Sequence, residues 1–224
     1  MMVKKVAEKL KAVRLFPDRS ILTMGHEVLA LVRRVKEGDG VAFQAIYDLF
    51  AKKIYNFVYR MLGSKEEAED ITQDSFLIAY RELKNLRKEA QFESWLYHIA
   101  RNEVYQKLRH GKFLRYTLDD GKIAHAYETK RQSAELNPEE TVLNDELSQA
   151  IQSALADIPD KLREVFVLAV IQKVSYKDIC DIVGKSLSAV KTDIYRARLM
   201  ARDALKKYLD GSVAAKPHSS YKEQ

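Results

Sequence analysis

The chain has a single cysteine, Cys180, so no internal disulfide can form and a reducing compartment is expected. Glycine and proline are scarce, with eight and four copies in 224 residues, so few tight turns are available and long helices are favoured. No run of about 18 apolar residues occurs, which predicts no membrane-spanning helix. The first residues, MMVKKVAEKLKAVRLF, are basic but hold no unbroken apolar stretch and no small-residue cleavage site. No secretory signal is predicted, and the expected location is cytoplasmic. His98 has no second His or Cys at ligand spacing nearby, so no metal site and no cofactor are expected. Neither strand alternation nor a tandem repeat is present.

Against these absences stand 46% hydrophobic and 31% charged residues, a composition too apolar for wholesale disorder. The formal net charge is +6, which suits a polyanionic partner only if the cations are grouped on a surface.

Nearly every segment carries a helical period. From Phe43 the apolar residues Ile46, Tyr47, Phe50, Ile54, Phe57, Val58 and Met61 recur at steps of three and four, and Gly63 and Ser64 end that helix. A second helix starts in the acidic run Glu66–Asp70 and is expected to bury Ala68, Ile71, Ser75, Ile78 and Ala79. A third, Phe92–Arg109, is expected to bury Trp95, Leu96, Ile99, Ala100, Val104 and Leu108, and an earlier one covers Glu27–Lys36. The period fades from Gly111 to Asn144 and returns after it. The expected class is all-α, with two small helical domains joined by a flexible linker. The divisions are an N-terminal extension (1–26), a four-helix domain (27–110), the linker (111–144), a second helical domain (145–210) and a disordered tail (211–224).

The most specific local signal lies at Ser175–Arg198. Ser175-Tyr-Lys-Asp178 reads as a capping box, and Ile179, Ile182 and Val183 face inward. Gly184 ends the helix, and Ser186 caps a second one with an apolar face of Leu187, Val190, Ile194 and Ala197. Its opposite face shows Lys191, Thr192, Tyr195, Arg196 and, to one side, Arg198. This is a helix-turn-helix with a cationic outer face, suited to the DNA major groove. The bland alternative is a helical hairpin with a solvated basic face, and Asp193 speaks for it, because phosphates repel a carboxylate.

In the first domain, Asp70, Gln73, Asp74 and Leu77 share one exposed face. Acids near a helix start stabilise its dipole, but Asp74 lies too far in, and a docking face for a basic protein is the second reading. Glu66, Glu69, Asp70 and Asp74 could also be read as metal carboxylates, but no complementary cluster appears elsewhere. The outer face of the third helix combines Tyr97, His98, Arg101, Asn102, Tyr105, Gln106 and Arg109, with Lys107 beside it. Aromatics interleaved with cations suit unpaired bases; the plain alternative is a solvated face.

Two long runs resemble one family. Ala68 to His110, AEDITQDSFLIAYRELKNLRKEAQFESWLYHIARNEVYQKLRH, resembles region 2 of the extracytoplasmic-function (ECF) group of sigma-70 family sigma factors. DIPDKLREVFVLAVIQKVSYKDICDIVGKSLSAVKTDIYRARLMAR resembles region 4 of the same group. The resemblance implies a specificity subunit of RNA polymerase with no catalytic residues of its own. It implies that Asp70, Gln73 and Asp74 dock on the β′ clamp helices of core RNA polymerase, and that region 4 sits on the β flap. The loop Asn85–Gln91, with Arg87 and Lys88, would capture a flipped base of the −10 element. Trp95, Tyr97, Arg101, Asn102 and Lys107 would hold the melted strand or adjoining duplex. Ser188, Lys191, Thr192, Tyr195 and Arg196 would contact duplex promoter DNA at the −35 element. An anti-sigma factor that covers both domains is the further partner implied. The chain departs from the family pattern at Lys88, at Lys185 in the turn and at Asp193 in the second helix. An autonomous helix-turn-helix regulator that binds operators as a dimer without polymerase remains the alternative, but no heptad seam offers the dimer interface it would need.

Overall fold

The computed structural model describes residues 19–119 and 148–214, with side chains over 25–110 and 148–206. The remainder of the expected extension, linker and tail lies outside the described residues. Eight α-helices and no strand occur among those described. They are α1 (Arg19–Lys36), α2 (Gly40–Leu62), α3 (Lys65–Glu82), α4 (Phe92–Asp119), α5 (residues 148–156), α6 (Asp160–Phe166), α7 (Tyr176–Val183) and α8 (Leu187–Ala214).

Helix ends in the first four-helix unit follow from local chemistry. Asp39 caps α2: its Oδ1 accepts from the Val41 and Ala42 amides at 2.9 and 3.1 Å, while Arg34 holds Oδ2 at 2.6 Å. The Arg34 contact, with those amides, keeps the Asp39 carboxyl below the usual range. Gly63 ends α2 at φ 84°, its amide donating to Tyr59 O at 2.8 Å, and Ser64 then caps α3 by accepting from the Glu67 amide at 3.2 Å. Between them, Ala42, Ile46, Phe50, Ile54, Phe57, Val58 and Met61 of α2 are buried against α1, α3 and α4. Thr72 and Ser75 are buried in α3, where their hydroxyls donate to Ala68 O and Ile71 O at 2.6 Å each, so neither is left unpaired.

The second unit, α5–α8, buries Leu155, Ile158, Val165, Leu168, Ile179, Ile182, Val190, Ile194 and Ala197. A π-helical turn, Val167–Ile171, extends α6. Ser175 caps α7 by accepting from the Asp178 amide at 3.1 Å, and Asp178 reaches back to the Ser175 hydroxyl at 2.5 Å. Gly184 ends α7 in the left-handed region at φ 67°, and Ser186 accepts from the Ala189 amide at 3.3 Å to start α8.

Several helices outrun their expected lengths. The first begins at Arg19 rather than Glu27, α4 continues past Arg109 to Asp119, and α8 runs past 210 to Ala214. Gly25, Gly111 and Gly211 lie inside these helices. An isolated glycine in a helix costs only about 1 kcal/mol against alanine and does not end it. Burial also differs in detail: Phe76 joins the core, whereas Ile78, Trp95, Leu108 and Val183 are only half-buried. Leu187, expected on the apolar face of α8, is 48% exposed, because it sits at the first position after the turn, before the helix meets the core.

A Cβ added at Gly63 would be strained by the backbone and would meet Gln152 Nε2 at 3.3 Å. Gly63→Ala is therefore expected to lower stability by about 1–2 kcal/mol, read from urea unfolding followed by circular dichroism.

Candidate nucleic-acid interface

Helices α7 and α8 and the turn at Gly184 build the first surface. Ser188, Lys191, Thr192, Tyr195, Arg196 and Arg198 are all exposed on α8, with Tyr195 64% exposed. The Thr192 hydroxyl donates to Ser188 O at 3.0 Å. Asp193 does not join them, for its carboxylate is turned back to Lys185 at 2.6 Å.

The second surface surrounds the loop between α3 and α4. Asn85, Arg87 and Lys88 are exposed, and the Asn85 amide donates to Glu82 Oε2 at 2.8 Å. Glu89 pins the loop to α1: Arg33 and Lys36 each donate to it at 3.0 Å, and Lys36 also donates to Leu86 O at 2.8 Å. Those two cations hold the Glu89 carboxyl below its ordinary range. No pattern in the sequence announces this anchor, because the partners lie more than fifty residues from it.

On α4 the expected outer face is divided. Asn102 and Lys107 are exposed, and Lys107 pairs with Glu67 at 3.2 Å. His98 is exposed, and its Nδ1 lies 3.3 Å from the Asn102 amide nitrogen. Tyr97 is fully buried, which corrects the expectation of an outward ring. Its ring packs edge-on to Phe57 at 5.6 Å, and its hydroxyl donates to Gln172 of the second unit at 3.3 Å. The spacing of four to Arg101 misled here: Tyr97 lies between the buried Leu96 and the inward Ile99 and Ala100, where α2 and the second unit both close over it.

Arg101 and Tyr105 do share a face, but a residue from the second unit occupies it. The Glu164 carboxylate accepts from Arg101 Nε on one oxygen and from the Tyr105 hydroxyl, at 2.8 Å, on the other. The Arg101 guanidinium also lies 4.8 Å from the centre of the Tyr105 ring. Glu164 is 2% exposed, and burial pushes its carboxyl upward against the opposing pull of Arg101 and Tyr105. Burial, then the nearby Glu164 charge, pushes the Tyr105 hydroxyl up as well. Beside this clasp an open cleft is lined by Arg101, Asn102, Tyr105, Gln106, Arg109 and Lys161.

Further bonds close the seam between the units. Arg163 donates to Met61 O at 2.7 Å, and Arg60 donates to Ser148 O at 3.2 Å and to Gln152 Oε1 at 3.3 Å. Glu164, Arg163 and Arg60 were not among the expected functional residues.

The third surface lies on α3, where Asp70, Gln73 and Asp74 are exposed on one face with Leu77, 53% exposed. Among the described residues no group of three or more His, Cys, Asp or Glu could hold a metal ion. None of the described helices is long and apolar enough to cross a membrane.

Comparison with known families identifies both units. The Sigma-70 region 2 profile matches residues 46–113, and the Sigma-70, region 4 profile matches residues 148–200. The chain is 37% identical over 182 residues to the ECF RNA polymerase sigma factor SigW of Bacillus subtilis, covering 80% of this chain and 94% of that protein. It is 30% identical over 183 residues to the RNA polymerase sigma-H factor of Pseudomonas aeruginosa, with the same two coverages, 80% and 94%. Among solved structures, CnrH in complex with the cytosolic domain of CnrY superposes with a TM-score of 0.59 at 21% identity, over 83% of this chain and 98% of that one. The sigma factor RpoE in complex with the anti-sigma factor NepR, from Bartonella quintana, gives 0.58 at 23% identity, over 73% and 96%. An all-helical chain with these two regions in this order belongs to the ECF group of the sigma-70 family, and is a transcription-initiation specificity subunit rather than a catalyst.

Proposed function

We propose that this sigma factor binds core RNA polymerase through α3 and selects promoters through two separate grips. The exposed face of α8 reads duplex DNA at −35, with Ser188, Lys191, Thr192, Tyr195 and Arg196 as contacts. The Asn85–Lys88 loop and the face of α4, with Arg101, Asn102 and Lys107, hold the melted −10 strand. Asp70, Gln73 and Asp74 engage the β′ clamp helices, while region 4 rests on the β flap. The domains are 27–110 for region 2 and 145–210 for region 4, and the protein works in the cytoplasm. The observation that carries this reading is the cluster of exposed cations and polar side chains on the second helix of a glycine-turned helix-turn-helix.

In the packed arrangement, Glu164 takes hydrogen bonds from Arg101 and Tyr105 that a phosphate could equally take. Promoter elements two helical turns apart are separated by roughly 70 Å. About thirty linker residues can extend to about 100 Å but left flexible average nearer 30 Å. Polymerase therefore supplies the spacing, and binding to it separates the units and frees Arg101 for the melted strand. Tyr97 becomes accessible only in that separated form. The complexes of RpoE with NepR and of CnrH with CnrY support a protein partner of the anti-sigma class for this chain as well, and we read that partner as one that covers both domains.

Run-off transcription with purified core enzyme should depend on this protein; transcription from the same promoter without it would refute the function. Asp70→Lys with Asp74→Lys is expected to weaken core binding about tenfold or more while leaving the helical circular dichroism unchanged. Unaltered affinity in a pull-down titration would remove α3 as the docking face. Arg196→Ala is expected to lower discrimination at one −35 position by about 1–3 kcal/mol, measured by competition with single-base variants of the promoter.

A further inference from the structure

The stretch Ser188–Arg198 of helix α8 carries one carboxylate amid its cations. Asp193 follows Thr192 directly and precedes Arg196 by three positions, so it belongs to the stretch that approaches DNA in the reading above. A negative side chain there opposes the phosphates that Lys191 and Arg196 would attract. The fold turns it aside. The Asp193 side chain is 15% exposed, whereas Lys191, Thr192, Tyr195 and Arg196 are all exposed. Its Oδ2 accepts from Lys185 Nζ at 2.6 Å. Lys185 stands just after Gly184 in the turn, and its own side chain is only 35% exposed. Its charge also reaches the buried Glu164 of α6, favouring the ionised form of that carboxyl. Lys185 is thus paired with Asp193 and not presented on the outer cationic face.

Resting on the assignment of α8 as the −35 grip, we propose that Lys185 is a positioning residue: it holds Asp193 against the turn, cancels its charge and keeps it away from the DNA. The pair ties the turn to the second turn of α8, eight residues apart in sequence, so it also steadies the angle at which the helix leaves the turn. Two rival roles make different demands. As a reader of cytosine, Asp193 would have to leave Lys185 and point outward. As a phosphate contact, Lys185 would weaken binding when removed whether or not Asp193 is present.

The test uses the full chain in holoenzyme with bacterial core RNA polymerase. The probe is a promoter duplex recovered by wild-type holoenzyme from a pool randomised across −35. Lys185→Ala is expected to bind that duplex about 5–20-fold more weakly, because an uncancelled carboxylate now faces phosphates. Asp193→Asn should stay within about twofold of wild type, and the double variant should return to within about threefold of it. Lys185→Arg should bind as wild type does, and selection repeated with Asp193→Asn should return the same −35 preference. Lys185→Gln keeps most of the side-chain stem and carries the same expectation should the alanine variant misfold. A double variant as weak as Lys185→Ala overturns the proposal, as does an altered base preference or an affinity loss of about tenfold in Asp193→Asn. A wild-type holoenzyme that selects no −35 sequence instead overturns the assignment of α8, and the positioning role with it.

Discussion

Among the contacts that place the two helical units against each other, one buried carboxylate makes the strictest demand. Taking Glu164 out of water costs several kcal/mol unless both of its oxygens find donors. Arg101 satisfies one and the Tyr105 hydroxyl the other, and both donors belong to α4 of the opposite unit. The cost of burial and its remedy therefore sit on different domains, which makes the carboxylate a point of registration between them. Arg163, on the neighbouring position of α6, grips Met61 O at the end of α2, and Arg60 reaches back to Ser148. Polar bonds thus give this seam much of its direction, while the buried apolar side chains of the two units join in one continuous core beneath them.

In the function proposed above the domains separate, and the polar part of the seam suits that step. Hydrogen bonds and ion pairs lost on opening can be replaced by water or by a charged ligand, whereas the apolar surface shared by the units has to be covered again by a partner. The groups that close the seam are also those with nucleic-acid chemistry. Arg101, Tyr105 and the adjoining cleft with Arg109 and Lys161 concentrate positive charge and hydrogen-bond donors, and Glu164 meets part of that potential from within. The faces of α3 and α8 are not engaged in this way, and both remain open on the packed molecule.

The helix-turn-helix was legible almost residue by residue. Ser175, Gly184 and Ser186 act within three or four positions of themselves, and each makes the cap its residue type favours. The same holds for Gly63 and Ser64 between α2 and α3. Helices pass through Gly25, Gly111 and Gly211 beside the expected boundaries, because an isolated glycine does not by itself end a helix. Tyr97 misled because helical spacing defines a face but not what covers it. Asp193, which spoke against DNA binding as a bare letter, is neutralised by Lys185, so two unexpected residues explain one another.

Period, caps and turns are interactions among residues at most a few positions apart, and the sequence alone determined them: an all-helical chain, two units and a helix-turn-helix with its cations outward. The family resemblance also needed nothing more. Only the tertiary structure decided that Tyr97 is enclosed, that Glu89 is anchored to α1 and that Glu164 occupies the Arg101–Tyr105 face. The reason is separation: Arg101 and Glu164 stand 63 residues apart, and no local rule relates two charges whose meeting depends on how separate domains pack.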